Sequence, residues 1–219
     1  MGEDKTMEET ILRVFKKAGM IIINDHFVYT SGRHGSAYFN KDALYPHAAT
    51  TFRVCRHLAK SFADDKVETV IAPAMGGIIL SQYVAFYLSG GDEKFTDPEV
   101  FSVYAEKIPG EKEFFIGRGY GEFIAGKRVL VVEDVLTTGA SARKVVELAR
   151  VYGGQVIGLG VLCNRGKVSS QDAGNVPKLV ALADIELEAW DEENCPLCQQ
   201  RIPINVEFGK GREFVRKRN

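Results

Sequence analysis

Apolar positions in this chain follow two rhythms that alternate. In residues 49–63, Phe52, Cys55, Leu58, Ala59 and Phe62 recur three or four apart, which predicts an amphipathic helix. A short unbroken apolar run over 67–72 predicts a buried strand, and 78–88 returns to a helix. The alternation then repeats. Residues 100–105 read as a strand, 128–133 as a buried strand, and 141–152 as a helix with Val145, Leu148, Ala149 and Tyr152 on one face. Residues 156–163 and 179–185 read as further strands. Ahead of these, Thr6-x-x-Glu9 has capping-box spacing before Ile11, Leu12, Val14, Phe15 and Ala18, and so predicts a first helix. Residues 27–40 mix aromatics with Ser31, Gly32, Arg33, His34 and Gly35, which fits a strand, a turn and a strand.

Strands alternating with helices imply right-handed crossovers and an α/β fold, with a mostly parallel central sheet covered by helices on both faces. The expected organisation is one structural domain. It has an N-terminal helix and hood over 1–48, a core over 49–186 and a C-terminal extension over 187–219. Ligands of such sheets bind beyond the carboxyl ends of the strands. Three loops leave those ends with unusual chemistry, at 73–77, 134–141 and 164–167.

Composition narrows the classes. With 219 residues, 45% of them hydrophobic, the chain can bury one full core. Its formal net charge of −1 provides no basic field for nucleic acid, so an anionic ligand must be held by local groups. No apolar run is long enough for a membrane span, and the charged start, Met1 to Lys5, lacks the apolar stretch of a signal peptide. A cytoplasmic location is expected. Four cysteines are too few for a secreted disulfide framework. Cys55 and Cys163 sit in apolar surroundings as small buried thiols. Cys195-Pro196-Leu197-Cys198 is a single CxxC, and no second CxxC or paired His supplies the two further ligands of a zinc site. It reads as a structural or incidental pair, with zinc shared across a dimer or redox use as alternatives.

The chemistry concentrates in Val129-Leu130-Val131-Val132-Glu133-Asp134-Val135-Leu136-Thr137-Thr138-Gly139-Ala140-Ser141. Four apolar residues make a central strand, and two adjacent carboxylates at its end are costly unless they face hydroxyl donors or a divalent cation. The turn that follows opens a helix, where amides, hydroxyls and the helix dipole converge as a phosphate dianion requires. Gly139 lets the backbone approach that phosphate closely. An acidic N-cap on an ordinary βα unit would account for Asp134 alone, but not for the doubled acid with the Thr-Thr-Gly-Ala-Ser turn. An acidic rim for sugar hydroxyls beside an amide-lined cup matches a ribose 5-phosphate.

This stretch resembles the diphosphoribosyl-binding motif of type I phosphoribosyltransferases. Residues 27–41, containing Ser31-Gly32-Arg33 and then Tyr38-Phe39-Asn40-Lys41, resemble the N-terminal segment of orotate phosphoribosyltransferases. The resemblance implies transfer of phosphoribosyl from phosphoribosyl pyrophosphate to orotate, giving orotidine 5′-monophosphate and pyrophosphate in pyrimidine biosynthesis, with Mg²⁺ held mainly through the pyrophosphate. It places Glu133 and Asp134 on the ribose hydroxyls and Thr137, Thr138, Gly139, Ala140 and Ser141 around the 5′-phosphate, with Val135 and Leu136 also in the phosphoribosyl pyrophosphate site and Thr137 also near the base. It places Ala74, Met75, Gly76 and Gly77 around the pyrophosphate through backbone amides, with a strained or cis peptide among them as one option. It puts Arg165 on the orotate carboxylate, a bidentate contact suited to guanidinium, and Tyr38 and Phe39 against the pyrimidine. Without the resemblance, both rings read as strand core.

Residues 106–126 are too long and polar for an ordinary connection, and read as a candidate lid carrying Lys107, Lys112 and Arg118 to the departing pyrophosphate. The family uses this loop across a subunit interface, so a homodimer is implied, with no nucleic acid or membrane partner. Lys107 matches the family's loop lysine best. The alternative for all three is a solvated charged hairpin balanced by Glu106, Glu111 and Glu113. The chain departs from the family where Thr30 and Gly76 replace common lysines, and where the lid contains no His. Two rival readings remain open: a purine phosphoribosyltransferase, and a non-catalytic regulator that senses phosphoribosyl pyrophosphate.

Overall fold

The chain starts with helix α1 (Gly2–Lys17) and an antiparallel hairpin of β1 (Ile21–Val28) and β2 (His34–Phe39). The computed structural model describes residues 2–91, 99–111 and 113–218. Helix α1 already runs from Gly2, so Thr6 lies a turn inside it and not at its cap. Contacts divide the chain into two compact units: residues 1–47 with 186–219, and residues 48–185. Both chain ends therefore fold into one unit, although the sequence separates them as a hood and an extension.

The larger unit is built on a six-stranded sheet. Its strands are β3 (Thr69–Pro73), β4 (Phe101–Lys107), β5 (Phe114–Phe115), β6 (Arg128–Leu136), β7 (Gln155–Asn164) and β8 (Leu179–Asp184). They lie in the order β5-β4-β3-β6-β7-β8, all parallel except the short edge strand β5. Helices α2 (Ala48–Lys60) and α3 (Gly76–Leu88) pack together on one face, and α4 (Ala140–Val151) covers the other. The central strands β3, β6 and β7 are buried almost throughout because both faces are covered. Val129 and Val131 of β6 share a cluster with Val145, Val146 and Ala149 of α4. Beyond β8 the chain returns to the smaller unit, forming the one-turn helix α5 (Pro196–Gln199) and α6 (Gly211–Arg216). No helix among the described residues is long and apolar enough to cross a membrane.

Candidate active site

Within the larger unit, the sheet order reverses direction between β3 and β6. From β3 the chain moves outward to β4, then crosses back to β6 on the other side. Such a switch point leaves a crevice beyond the carboxyl ends of the two strands, because their following connections diverge. The loop after β3 (74–77) and the loop after β6 (137–141) flank that crevice. The loop after β7 (164–167) comes next, since β6 and β7 are parallel neighbours in register from Leu130↔Gly158 to Leu136↔Asn164.

Strand β6 runs further than its sequence pattern predicts, because Val135 and Leu136 still pair with Cys163 and Asn164. Glu133 and Asp134 therefore sit within the last turns of the ladder, only 7% and 5% exposed. The Asp134 N–H donates to Glu133 Oε1 at 3.0 Å. Leu136 points into the core at 1% exposure, and its carbonyl accepts the N–H groups of Arg165 (2.9 Å) and Gly166 (3.1 Å). It thus supports the loop, and its side chain is not part of a ligand surface. Thr137 and Thr138 are exposed, and the Ala140 N–H approaches Thr138 Oγ1 at 3.4 Å.

Gly139 is the N-cap of α4 with φ +74°. A Cβ there would lie 2.7 Å from Val168 Cγ1, so glycine is required both by the left-handed backbone and by the close approach. The first turn of α4 leaves its N–H groups without intrahelical acceptors, which gives the loop anion-binding capacity.

The neighbouring loop is clamped by a residue with no role of its own in the sequence pattern. Asn164 accepts the Val168 N–H at Oδ1 and donates from Nδ2 to the Val168 carbonyl, both at 3.0 Å. That closes the turn carrying half-buried Arg165 and holds Val168 under Gly139. A Cβ on Gly166 would lie 1.8 Å from the Thr137 carbonyl oxygen, so the two loops are packed together. Burial pushes the nearby Cys163 thiol up to about 12 despite the charge of Arg165, which leaves no thiolate nucleophile there.

After β3, the Ala74–Met75 peptide is cis, and the Ala74 N–H donates to the Ala105 carbonyl at 2.7 Å. That amide is already committed. Met75 is 82% exposed, while Gly76 and Gly77 open α3 with N–H groups that have no intrahelical acceptors.

Residues 106–126 are not a detached lid. Glu106 and Lys107 pair with Phe115 and Phe114, and Phe114, Ile116 and Ile124 enter the core cluster beneath α4. Glu113 accepts a 2.6 Å bond from Lys144 of α4. The apolar residues are spread thinly among charges, so composition alone reads the segment as polar. The tip around Pro109 and Gly110 is exposed, as are charged positions along the segment such as Lys107, Glu113 and Glu122. Arg118 is paired with Glu106 at 3.1 Å and lies over the Tyr104 ring, which holds it on the hairpin's face. Lys107 is exposed at the end of β4, its ammonium 5.8 Å from the Phe114 ring centroid. Lys112 lies outside the described residues.

The two aromatic rings expected against the pyrimidine belong to the smaller unit. Phe39 is 5% exposed and meets Phe15 edge-on, so it serves that unit's core. Tyr38 is half-buried and stacks at a tilt between Phe27 and Phe208. In the hairpin turn, the Arg33 guanidinium donates to the Ala189 carbonyl and pairs with Asp191.

Residues 41–193 match the family model described as a phosphoribosyl transferase domain. The chain is 40% identical over 195 residues to an orotate phosphoribosyltransferase from Pelotomaculum thermopropionicum, covering 89% of this chain and 94% of that one. It is 37% identical to the protein of the same name from Desulforamulus reducens, covering 89% and 93%. Among solved structures, orotate phosphoribosyltransferase from Aeropyrum pernix superposes with a TM-score of 0.61 at 26% identity, over 79% of this chain and 92% of that one. With its acid pair and hydroxyl-rich turn set at the switch point of such a sheet, this chain belongs to the phosphoribosyl transferase family.

Proposed function

We propose that the protein transfers phosphoribosyl from phosphoribosyl pyrophosphate to orotate, releasing pyrophosphate and forming orotidine 5′-monophosphate for pyrimidine biosynthesis. The observation that carries this reading is the packing of the acid-pair loop directly against the Arg165 loop beside the switch point. An acid pair, a hydroxyl-rich turn and a guanidinium on adjacent strand ends support a ligand that carries ribose hydroxyls, a phosphate and a carboxylate. The names of the relatives at 37–40% identity support the choice of base.

In this mechanism Glu133 and Asp134 fix the ribose, and the amides of the 137–141 turn hold the 5′-phosphate. Arg165 fixes the orotate carboxylate. The amides of Gly76 and Gly77 receive the pyrophosphate, and Lys107 meets its charge as the C1–O bond breaks. Positive charge developing at C1 is stabilised by the preorganised carboxylates, so no covalent nucleophile is needed. Glu133 and Asp134 are paired hard-oxygen donors, and their chemistry fits Mg²⁺ near the ribose. When bound, Mg²⁺ held mainly through the pyrophosphate neutralises leaving-group charge. A homodimer, with the 106–126 hairpin at the partner's site, belongs to the same proposal.

Pyrophosphate release with orotate, compared with hypoxanthine, adenine and no base, tests the assignment. Orotate alone should support turnover. Glu133→Gln with Asp134→Asn should lower kcat/KM by about 100-fold or more with an unchanged circular dichroism spectrum. Normal turnover in that variant would overturn the mechanism, and turnover with a purine would overturn the choice of base.

A further inference from the structure

The smaller unit contains a second group of chemically competent side chains that the transfer reaction does not use. His26 of β1, His34 of β2, Cys195 and Cys198 bring one ligand atom each to within 4.8 Å of one another. Three of the four residues are buried and Cys198 is half-buried. From these residues we propose a closed, structural Zn²⁺ site of the Cys₂His₂ type, with ligands His26 Nε2, His34 Nδ1, Cys195 Sγ and Cys198 Sγ.

The spacing fits one tetrahedral ion. Zinc sits about 2.0–2.1 Å from imidazole nitrogen and about 2.3 Å from thiolate, so the edges of such a tetrahedron run from about 3.3 Å to about 3.8 Å. Three of the four sulfur–nitrogen edges are 3.3 Å (Cys198–His34), 3.6 Å (Cys195–His26) and 3.7 Å (Cys198–His26), and no two ligand atoms lie more than 4.8 Å apart. The nitrogen–nitrogen edge is 2.9 Å and opens by about 0.4 Å when the ion enters.

The supporting contacts point the same way. His26 Nδ1 lies 2.8 Å from the Ile202 carbonyl, which can only accept, so Nδ1 carries the proton and Nε2 presents its lone pair to the centre. The backbones are pinned from the same segment. His34 exchanges two hydrogen bonds with Trp190 (2.7 and 2.8 Å), and the His26 carbonyl accepts the Asn205 N–H at 2.8 Å. Cys195 precedes Pro196 at the start of α5, and one helical turn carries Cys198 back beside it.

The chemistry selects the metal. Two imidazoles and two thiolates in a tetrahedron suit Zn²⁺, and the set lacks the oxygen donors that Mg²⁺ or Ca²⁺ needs. Binding converts two thiols to thiolates and releases two protons, and the resulting centre is neutral, which permits burial. Four protein ligands leave no open position, so the role is structural. A unit assembled from two chain ends nearly the whole sequence apart has a small core of its own, and a metal cross-link supplies stability that such a core lacks.

The test uses the full chain, purified under reducing conditions without chelator, dialysed and analysed for metals by mass spectrometry. One zinc per chain is expected, and Cys195→Ser with Cys198→Ser should retain less than about a tenth of it. Because that variant can fail to fold, the wild-type protein is also stripped and titrated with Co²⁺. Thiolate-to-cobalt charge transfer and intense four-coordinate d–d bands should saturate at one equivalent. Absence of zinc combined with failure of the reduced protein to take up cobalt would overturn the site. So would zinc retained in the double serine variant, or cobalt bands lacking the thiolate transition.

Discussion

Replacing Gly139 with alanine tests the packing of the phosphate turn against the Arg165 loop. Two terms add. Alanine held at φ +74° costs about 1–2 kcal/mol, because its Cβ crowds the following carbonyl. The new methyl would also stand 2.7 Å from Val168 Cγ1, and relieving that overlap costs about 1–3 kcal/mol. The sum, about 2–5 kcal/mol, should lower Tm by about 5–15 °C in a chain of this size. Val168 is itself buried, so Val168→Ala alone should cost about 1.5–3 kcal/mol. In the double variant the overlap disappears while the backbone term stays. The double variant should therefore be about 1–3 kcal/mol more stable than the sum of the singles predicts. Urea denaturation of the four proteins measures this directly. If the turn forms the phosphate cup, KM for phosphoribosyl pyrophosphate should rise about tenfold in Gly139→Ala and largely recover in the double variant. Additivity within about 0.5 kcal/mol would refute the reasoning, since it would mean that the two loops do not press on each other.

Lys107 and Arg118 should separate in mutagenesis. Lys107→Ala should lower kcat at least tenfold with little change in ground-state binding, whereas Arg118→Ala, which loses an exposed pair with Glu106, should change kcat less than about threefold and leave Tm nearly unchanged. Single-turnover kinetics and thermal melts give both values. Glu68 joins the starts of β3 and β6, and the Arg128 N–H, with Lys127, holds its carboxyl below the ordinary value. A depressed folded pKa contributes stability above the unfolded value and loses it as pH falls through the folded one. Glu68→Gln should therefore lower Tm modestly at pH 7, and the difference should shrink once pH falls below the ordinary glutamate value and vanish below the lowered folded one.

The periodic apolar runs alone determined the alternation of strands and helices and the α/β class, because each central strand is buried on both faces and must be continuously apolar. The run from Val129 to Ser141 was also readable locally, since an acid pair followed by a glycine turn has few other physical uses. The tertiary structure decided where those groups meet. Strand order made the β3–β6 gap the switch point, and Asn164, an ordinary residue in sequence, became the clamp that holds Val168 beneath Gly139. The 106–126 segment looked like a free polar lid, but sparse apolar residues such as Phe114 and Ile124 dock it on the core. Phe39 likewise went to packing. The CxxC at Cys195 looked two ligands short, because His26 and His34 lie at the other end of the chain. Ligand pairing across that distance is set by how a hairpin and a C-terminal segment pack, and local spacing carries no record of it.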